Sequence, residues 1–299
     1  MGAQTSASQR GRGRSLVPRR IRSVIFIASL TAALLPAQQQ LRMEPPHDSG
    51  QSVTPAFEGW FANADGTFSI LYGYFNRNMK QELDIPIGPD NKIEPAGPDQ
   101  GQPTHFLTRR QWGMFTVTVP KDFGSQKVSW TITANGTTTV IPAGLDPLWE
   151  LSPLKDASGN TPPFIGFTEN GPFAQGPRAQ SETLSATVGV PLQLPLWVAD
   201  DANLIPGAER PKTPPLVVTW NKFRGPGAVV FSAEHPSIND ADFAAPAKTT
   251  VHGKASTTAT FSEPGEYILR AVANDWTGEG GRGFQCCWTN AQVKVSVKK

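Results

Sequence analysis

The sequence predicts an all-β protein that consists of two antiparallel β-sandwich domains. Three observations lead to this prediction. The 299 residues include 28 Gly and 28 Pro, whereas charged residues make up only 17%, so turn formers are frequent and helix formers are scarce. Apolar and polar residues alternate over many short runs, which is the period of a strand with one buried face. Gly-, Pro- and Asn-rich stretches separate these runs at short intervals.

Residues 1–37 are predicted to be a secretory signal peptide. An arginine-rich segment precedes the apolar run SVIFIASLTAALL at residues 23–35, and the small residue Ala37 follows, which is the order of features in such signals. The run is shorter than the roughly 20 residues that span a bilayer. We therefore expect cleavage near Ala37, no transmembrane segment after cleavage, and export to the periplasm, the cell surface or the medium. An uncleaved N-terminal anchor is the alternative.

The charge of the chain argues against nucleic acid as a partner. Six of the 27 basic residues lie in the acid-free leader, so the remainder has 21 basic and 25 acidic residues and a net charge of −4. Proteins that bind nucleic acid carry a basic stripe or patch. No such stripe remains outside the leader.

The first sandwich is predicted over residues 56–154, behind a polar linker at residues 38–55. Asp65-Gly66 predicts one hairpin turn, and Asn135-Gly136 predicts a second, because this pair suits the two positive-φ positions of a type I′ turn. A Pro-, Gly- and Asp-rich loop, residues 84–105, lies between the two hairpins and is expected at the surface. The residues predicted to face the core are Phe68, Ile70, Tyr72, Tyr74, Phe115, Val117, Val119, Val128, Trp130, Ile132 and Ala134.

The second sandwich is predicted over residues 178–299, behind a linker at residues 155–177. Its strands alternate cleanly, and a turn is predicted at Gly225-Pro226-Gly227. The residues predicted to face its core are Leu192, Leu194, Leu196, Val198, Leu216, Val218, Trp220, Ala255, Thr257, Ala259, Phe261, Tyr267, Leu269, Ala271, Ala273, Ala291, Val293, Val295 and Val297.

Residues 181–299 resemble the PKD-like, immunoglobulin-related modules of bacterial and animal cell-surface proteins. The stretches VGVPLQLPLWVADD, TWNKFRGPG and TTATFSEPGEYILRAVANDW carry the resemblance, together with the alternating last strand. It implies structural roles for two residues. Trp220 would fill the middle of the core, and Tyr267 would form a tyrosine corner that bonds back to the backbone. The first domain matches no family that we recognise.

Cys286 and Cys287 are adjacent, which makes a disulfide between them geometrically difficult. Neighbouring Cα atoms across a trans peptide lie about 3.8 Å apart, whereas disulfides prefer roughly 4.4–6.8 Å. A vicinal disulfide would need a twisted or cis peptide and would form a rigid loop tip. Free or buried thiols, a bond to another chain and a soft-metal site are the alternatives.

Asp200, Asp201 and Asp275 are candidate calcium ligands, because each lies at the end of a predicted strand and strand ends can meet at one end of a sandwich. Carboxylate oxygens are the ligands that calcium prefers. Ordinary turn or capping roles are the alternative. The sequence predicts no other cofactor.

Several tryptophans fall outside the predicted core faces and are candidates for stacking on sugar rings. Burial in a core or against a linker is the alternative for each. The candidates are Trp60, Trp112, Trp149, Trp276 and Trp288.

The sequence contains none of the common catalytic motifs, such as a G-x-S-x-G nucleophile elbow, an H-E-x-x-H helix or a P-loop. A hydrolase that uses loop carboxylates such as Asp240 and Asp242 is a remote alternative, with residues 84–105 and 278–290 as the places for a pocket. We therefore expect a non-catalytic binding or structural protein, active in adhesion, envelope scaffolding or assembly with another exported protein. A carbohydrate-binding accessory module with a glycan partner is the alternative.

Overall fold

A computed structural model describes residues 45–95, 97–178, 180–204, 207, 214–277 and 286–299. Residues 45–299 form one compact unit. The predicted signal peptide lies outside the described residues. Within the described part of the chain, no helix is long and apolar enough to cross a membrane.

The protein is all-β, and its first eight strands form the N-terminal sandwich. A sheet of order β1-β2-β6 faces a sheet of order β4-β7-β8, and β3 pairs with β5. Each of these pairs is antiparallel. A 3₁₀ helix, Pro147–Trp149, follows the last of them. The strands are β1 (Val53–Ala62), β2 (Phe68–Asn76), β3 (Leu83–Asp84), β4 (Asn91–Glu94), β5 (His105–Phe106), β6 (Arg109–Val119), β7 (Val128–Ala134) and β8 (Thr137–Ala143).

The other nine strands form the C-terminal sandwich. A sheet of order β10-β17-β16-β12 faces a sheet of order β13-β15-β11-β9, and β14 pairs with β15. All pairs are antiparallel except β10 with β17, which is parallel. The strands are β9 (Phe164–Gly166), β10 (Gln180–Thr187), β11 (Leu192–Asp200), β12 (Val217–Arg224), β13 (Val229–Phe231), β14 (Ile238–Asn239), β15 (Val251–Phe261), β16 (Gly265–Asn274) and β17 (Trp288–Lys298).

Alternation along the strands correctly predicted both cores. Trp130 and Tyr72 are fully buried between the sheets of the N-terminal sandwich, where their rings meet edge to face at 5.8 Å. Every predicted core residue of the C-terminal sandwich is at least half-buried. The Asn135-Gly136 turn has the expected positive φ values of 48° and 77°.

Two parts of the topology differ from a simple succession of hairpins. After the turn at Gly225-Pro226-Gly227 the chain does not return along β12, because β13 pairs with β15 of the opposite sheet. The stretch 155–177 was predicted to be a linker throughout, yet it contains β9, which adds a strand beside β11. Three residues are too few to show a period, so the sequence gives no signal for β9.

Trp220 and Tyr267 lie inside the C-terminal sandwich, each 1% exposed. The Tyr267 hydroxyl accepts a hydrogen bond from the Gly227 amide at 3.0 Å and donates one to the Glu263 carbonyl at 2.9 Å. Tyr267 therefore ties the β12–β13 turn to the turn that precedes β16. Burial raises the pKa of its hydroxyl, so it remains a donor at neutral pH.

A β-bulge in β6 of the N-terminal sandwich contacts the outer face of the C-terminal sandwich. The pairing of β2 with β6 shifts register between Tyr72 and Tyr74, and Gly113 lies in the resulting bulge of β6. Its amide donates to the Glu58 carboxylate at 2.7 Å, and its carbonyl accepts from the Asn290 side chain at 2.8 Å. The Trp288 ring packs directly on Gly113 and is 2% exposed. The two sandwiches thus share a buried, hydrogen-bonded contact.

Strand β12 makes a second connection between the two sandwiches. A register shift between Lys222 and Arg224 places Phe223 in the core of the N-terminal sandwich, where it is fully buried. The Arg224 guanidinium donates two hydrogen bonds to Asp99, at 2.8 and 3.0 Å. β12 therefore belongs to one sheet and contributes a side chain to the other core.

Candidate functional site

A groove of about 1100 Å³ runs between the two sandwiches. One wall comes from β3, β5 and β6 of the N-terminal sandwich. The other comes from β12, the β12–β13 turn and the end of β16. Because β12 is an edge strand of its sheet, the groove follows a sheet margin. Along this margin the Trp220 amide bonds to the Glu234 carbonyl and the Phe223 carbonyl accepts from the Thr104 amide. The volume slightly exceeds the roughly 300–1,000 Å³ typical of ligand sites.

A charged cluster lies on the first wall. The His105 ring is bracketed by two carboxylates, with Nδ1 2.9 Å from Asp84 Oδ1 and Nε2 3.1 Å from Glu82 Oε2. Lys222 crosses from the other wall and places Nζ 3.0 Å from Asp84 Oδ1. The hydrogen bond from His105 holds the pKa of Glu82 below its usual range. The cluster joins both walls and presents polar atoms to the groove.

Two half-buried indoles, Trp112 and Trp276, also line the groove. The Arg110 guanidinium lies 3.7 Å from the centre of the Trp112 ring. Arg110 is itself fixed by the Glu58 carboxylate and by the Tyr74 carbonyl at 3.0 Å. The Trp112 ring is therefore held in one orientation before any ligand binds.

The second wall contains polar atoms that have no partner in the protein. The Trp220 indole N–H and the Asn221 side-chain carbonyl are both buried and make no hydrogen bond. Both residues line the groove. An unsatisfied buried donor or acceptor costs about 1–3 kcal/mol of stability, and neither atom has surface that a ligand in the groove could reach.

The five tryptophans that were candidates for stacking on sugar rings fall into three sets. Trp60 and Trp288 are 8% and 2% exposed, so these two follow the alternative of burial. Trp60 packs edge to face against Phe68, and Trp288 packs on Gly113. Trp149 is 49% exposed but is not part of the groove. Trp112 and Trp276 are the two that share one surface.

Cys286 and Cys287 form a vicinal disulfide across a cis peptide bond. Both residues are fully buried, and Cys287 Sγ lies 3.6 Å from the Asn160 carbonyl oxygen. The segment around Asn160 covers the sulfur atoms, so neither cysteine side chain lies at the surface. Residues 278–285, part of a loop predicted to hold a pocket, lie outside the described residues.

The three candidate calcium ligands lie at one end of the C-terminal sandwich. Asp201 accepts hydrogen bonds from Thr161 and Asn203, while Asp275 accepts from Thr277 and Asn160. Asp200 is fully buried, and one of its oxygens has no partner. No group of three or more His, Cys, Asp or Glu side chains in the described chain could hold a metal ion. Calcium at this end of the sandwich stays a prediction.

Asp200 gives the protein a pH-dependent stability. Burial, with a smaller effect of the negative charges of Asp275 and Asp201, raises the pKa of Asp200 to about 7. The folded state therefore holds a proton that the unfolded state releases near pH 4. We expect the free energy of unfolding to fall as pH rises from 4 to 7, measured by urea denaturation. Asp200→Asn should abolish this slope, and Asp240→Asn, at an exposed position, should keep it.

Sequence reasoning missed most of the groove. The four histidines appeared scattered along the chain, yet His105 is paired with two acids that precede it by about 20 residues. The alternation E-L-D at residues 82–84 is the one signal that places Glu82 and Asp84 on the same side of a strand. Lys222 carried no signal, because its partner lies on another sandwich.

No protein-family model matches this chain, and no curated protein sequence matches it. Three solved structures illustrate the similarities at the structural level. The titin A168–A169 substructure is 11% identical, with 82% of this chain and 99% of that chain covered and a TM-score of 0.23. The D00–D0 domain of intimin is 13% identical, covers 82% and 99%, and has a TM-score of 0.24. The cadherin-like domains 1 to 4 of zebrafish RET are 12% identical, cover 76% and 48%, and have a TM-score of 0.22.

TM-scores of this size do not establish a shared fold. The assignment to the all-β class therefore depends on the strands and sheets of this chain alone. The resemblance of residues 181–299 to PKD-like modules stays a prediction.

Proposed function

We propose that this protein is an exported, non-catalytic binding protein that holds its ligand in the groove between the two sandwiches. The groove supports this proposal more than any other single observation. It is wide, it lies along the edge of a sheet, and aromatic and polar side chains from both walls line it. The leader predicts that the ligand is met outside the cytosol.

The scaffold of the groove is suited to binding without rearrangement. Gly113, Trp288 and Asn290 fix the two sandwiches to each other on one side, and the Arg224–Asp99 pair fixes them on another. A site on rigid, packed strands loses little conformational freedom when its ligand binds. Adhesion, envelope scaffolding or assembly with an exported partner each use such a preformed surface.

The proposal is tested by blocking the groove. Thr219 lines it, and its hydroxyl lies 3.1 Å from His235. The mature chain is incubated with the envelope fraction of the source organism, and the bound fraction is measured by co-sedimentation. Thr219→Arg inserts a long side chain into the groove and is expected to weaken binding about tenfold or more.

Thr138→Arg is the matched control. Thr138 is exposed on β8, outside the groove, and its hydroxyl also has one polar neighbour, Thr133, at 2.9 Å. It should leave binding unchanged, and both variants should keep the thermal midpoint of the parent. Equal binding by Thr219→Arg and the parent would show that the groove is not the binding site.

A further inference from the structure

We infer that the ligand of the groove is a neutral oligosaccharide. This inference rests on the proposed function, because it names the ligand class of the same groove. Three properties of the walls support it: aromatic side chains, exposed hydrogen-bond acceptors, and an excess of negative charge.

The aromatic faces come from Trp112 and Trp276, one on each wall. A sugar ring has C–H faces that are apolar and flat enough to lie on an indole, and burying them is favourable. The stacked Arg110 guanidinium already covers part of the Trp112 ring and fixes its plane. A short chain of sugar rings offers such a C–H face to each indole.

The polar side chains of the first wall suit a ligand with hydroxyl groups. The Glu82 and Asp84 side chains are 49% and 57% exposed, and an ionised carboxylate can only accept hydrogen bonds. A sugar hydroxyl can donate to such an oxygen, whereas an apolar ligand would remove its water without replacing the hydrogen bond.

The charges of the walls exclude an acidic ligand. Four carboxylates line the groove, and its two fully charged cations are already engaged. Lys222 is paired with Asp84, and Arg270 donates to the Asn290 side chain at 3.0 Å. Approach of a polyanion is therefore opposed by the field of the groove. The carboxylates include Glu82, Asp84, Glu234 and Glu263.

The test uses neutral hexasaccharides of glucose, mannose and N-acetylglucosamine, with polygalacturonate and heparin as acidic probes, against the mature chain by calorimetry. We expect at least one neutral probe to bind and both acidic probes to bind more weakly. Trp112→Ala and Trp276→Ala should each weaken binding about tenfold or more. Trp149→Ala, an exposed tryptophan outside the groove, is the matched control and should bind as the parent does.

The thermal midpoint of each variant is measured as well, which separates a loss of binding from a loss of folding. Unchanged binding in both groove tryptophan variants would overturn the inference, as would tighter binding of the acidic probes.

Failure of this inference and failure of the proposed function give different results. Envelope fractions are treated with periodate, which cleaves sugar rings, or with proteinase, before co-sedimentation. Loss of groove-dependent binding after periodate alone supports the oligosaccharide. Loss after proteinase alone, with Thr219→Arg still inactive, overturns the oligosaccharide and keeps the groove as a binding site. Envelope binding that Thr219→Arg leaves unchanged overturns both the inference and the proposed function.

Discussion

Replacing Trp220 with alanine is expected to lower the free energy of unfolding by about 4 kcal/mol. The side chain is 1% exposed and lies in the core of the C-terminal sandwich, where its ring is 6.3 Å from that of Phe231. Truncation removes a large buried apolar surface and leaves a cavity that two hydrogen-bonded sheets cannot close. Equilibrium denaturation in urea measures the loss.

Two further variants locate the source of the effect. Trp149→Ala removes an indole that is 49% exposed and should cost about 1 kcal/mol or less. Trp220→Phe should cost less than Trp220→Ala, because the indole N–H has no partner to lose. A loss in Trp220→Ala as small as that in Trp149→Ala would contradict the placement of Trp220 between the sheets.

Gly113→Ala is expected to lower the free energy of unfolding by about 3 kcal/mol, from two effects. Gly113 has a φ of +54°, a region that costs other residues about 1–2 kcal/mol. A Cβ at this position would also lie 2.5 Å from the Trp288 ring, and such overpacking typically costs about 1–3 kcal/mol. The variant should also weaken ligand binding, because Trp112 precedes Gly113 in the bulge.

Gly136→Ala separates the two effects. Gly136 also has a positive φ, +77°, but a Cβ there would meet open space. It should therefore show the backbone cost of about 1 kcal/mol and no more. Equal losses in the two variants would mean that the contact with Trp288 does not hold the sandwiches together.

The faces of the strands could be predicted because a strand has a period of two and each sheet buries one face. Ile70 and Val293 were assigned to cores on this ground alone, and both are buried. The pattern is local and needs no knowledge of the partner strand. The same reasoning placed the turn at Asn135-Gly136, since its chemistry lies in two adjacent residues.

What could not be predicted depends on residues that are distant in sequence. The Gly113 bulge breaks the period of β6, but nothing local shows that Trp288 will pack on it. Trp112 and Trp276 line the same groove only because β6 lies against the outer face of β16 and β17. Phe223 does not follow the alternation of buried and exposed residues along β12. The register shift that explains this exception is visible only in the pairing of β12 with β16.

The parallel pairing of β10 with β17 has a mechanical consequence. The first and last strands of their sheet run side by side over eight residue pairs, from Gln180–Ala291 to Thr187–Lys298. Tension applied to the beginning of one strand and to the end of the other would act along the ladder. Its hydrogen bonds would then have to break together in shear, whereas an antiparallel hairpin opens one bond at a time.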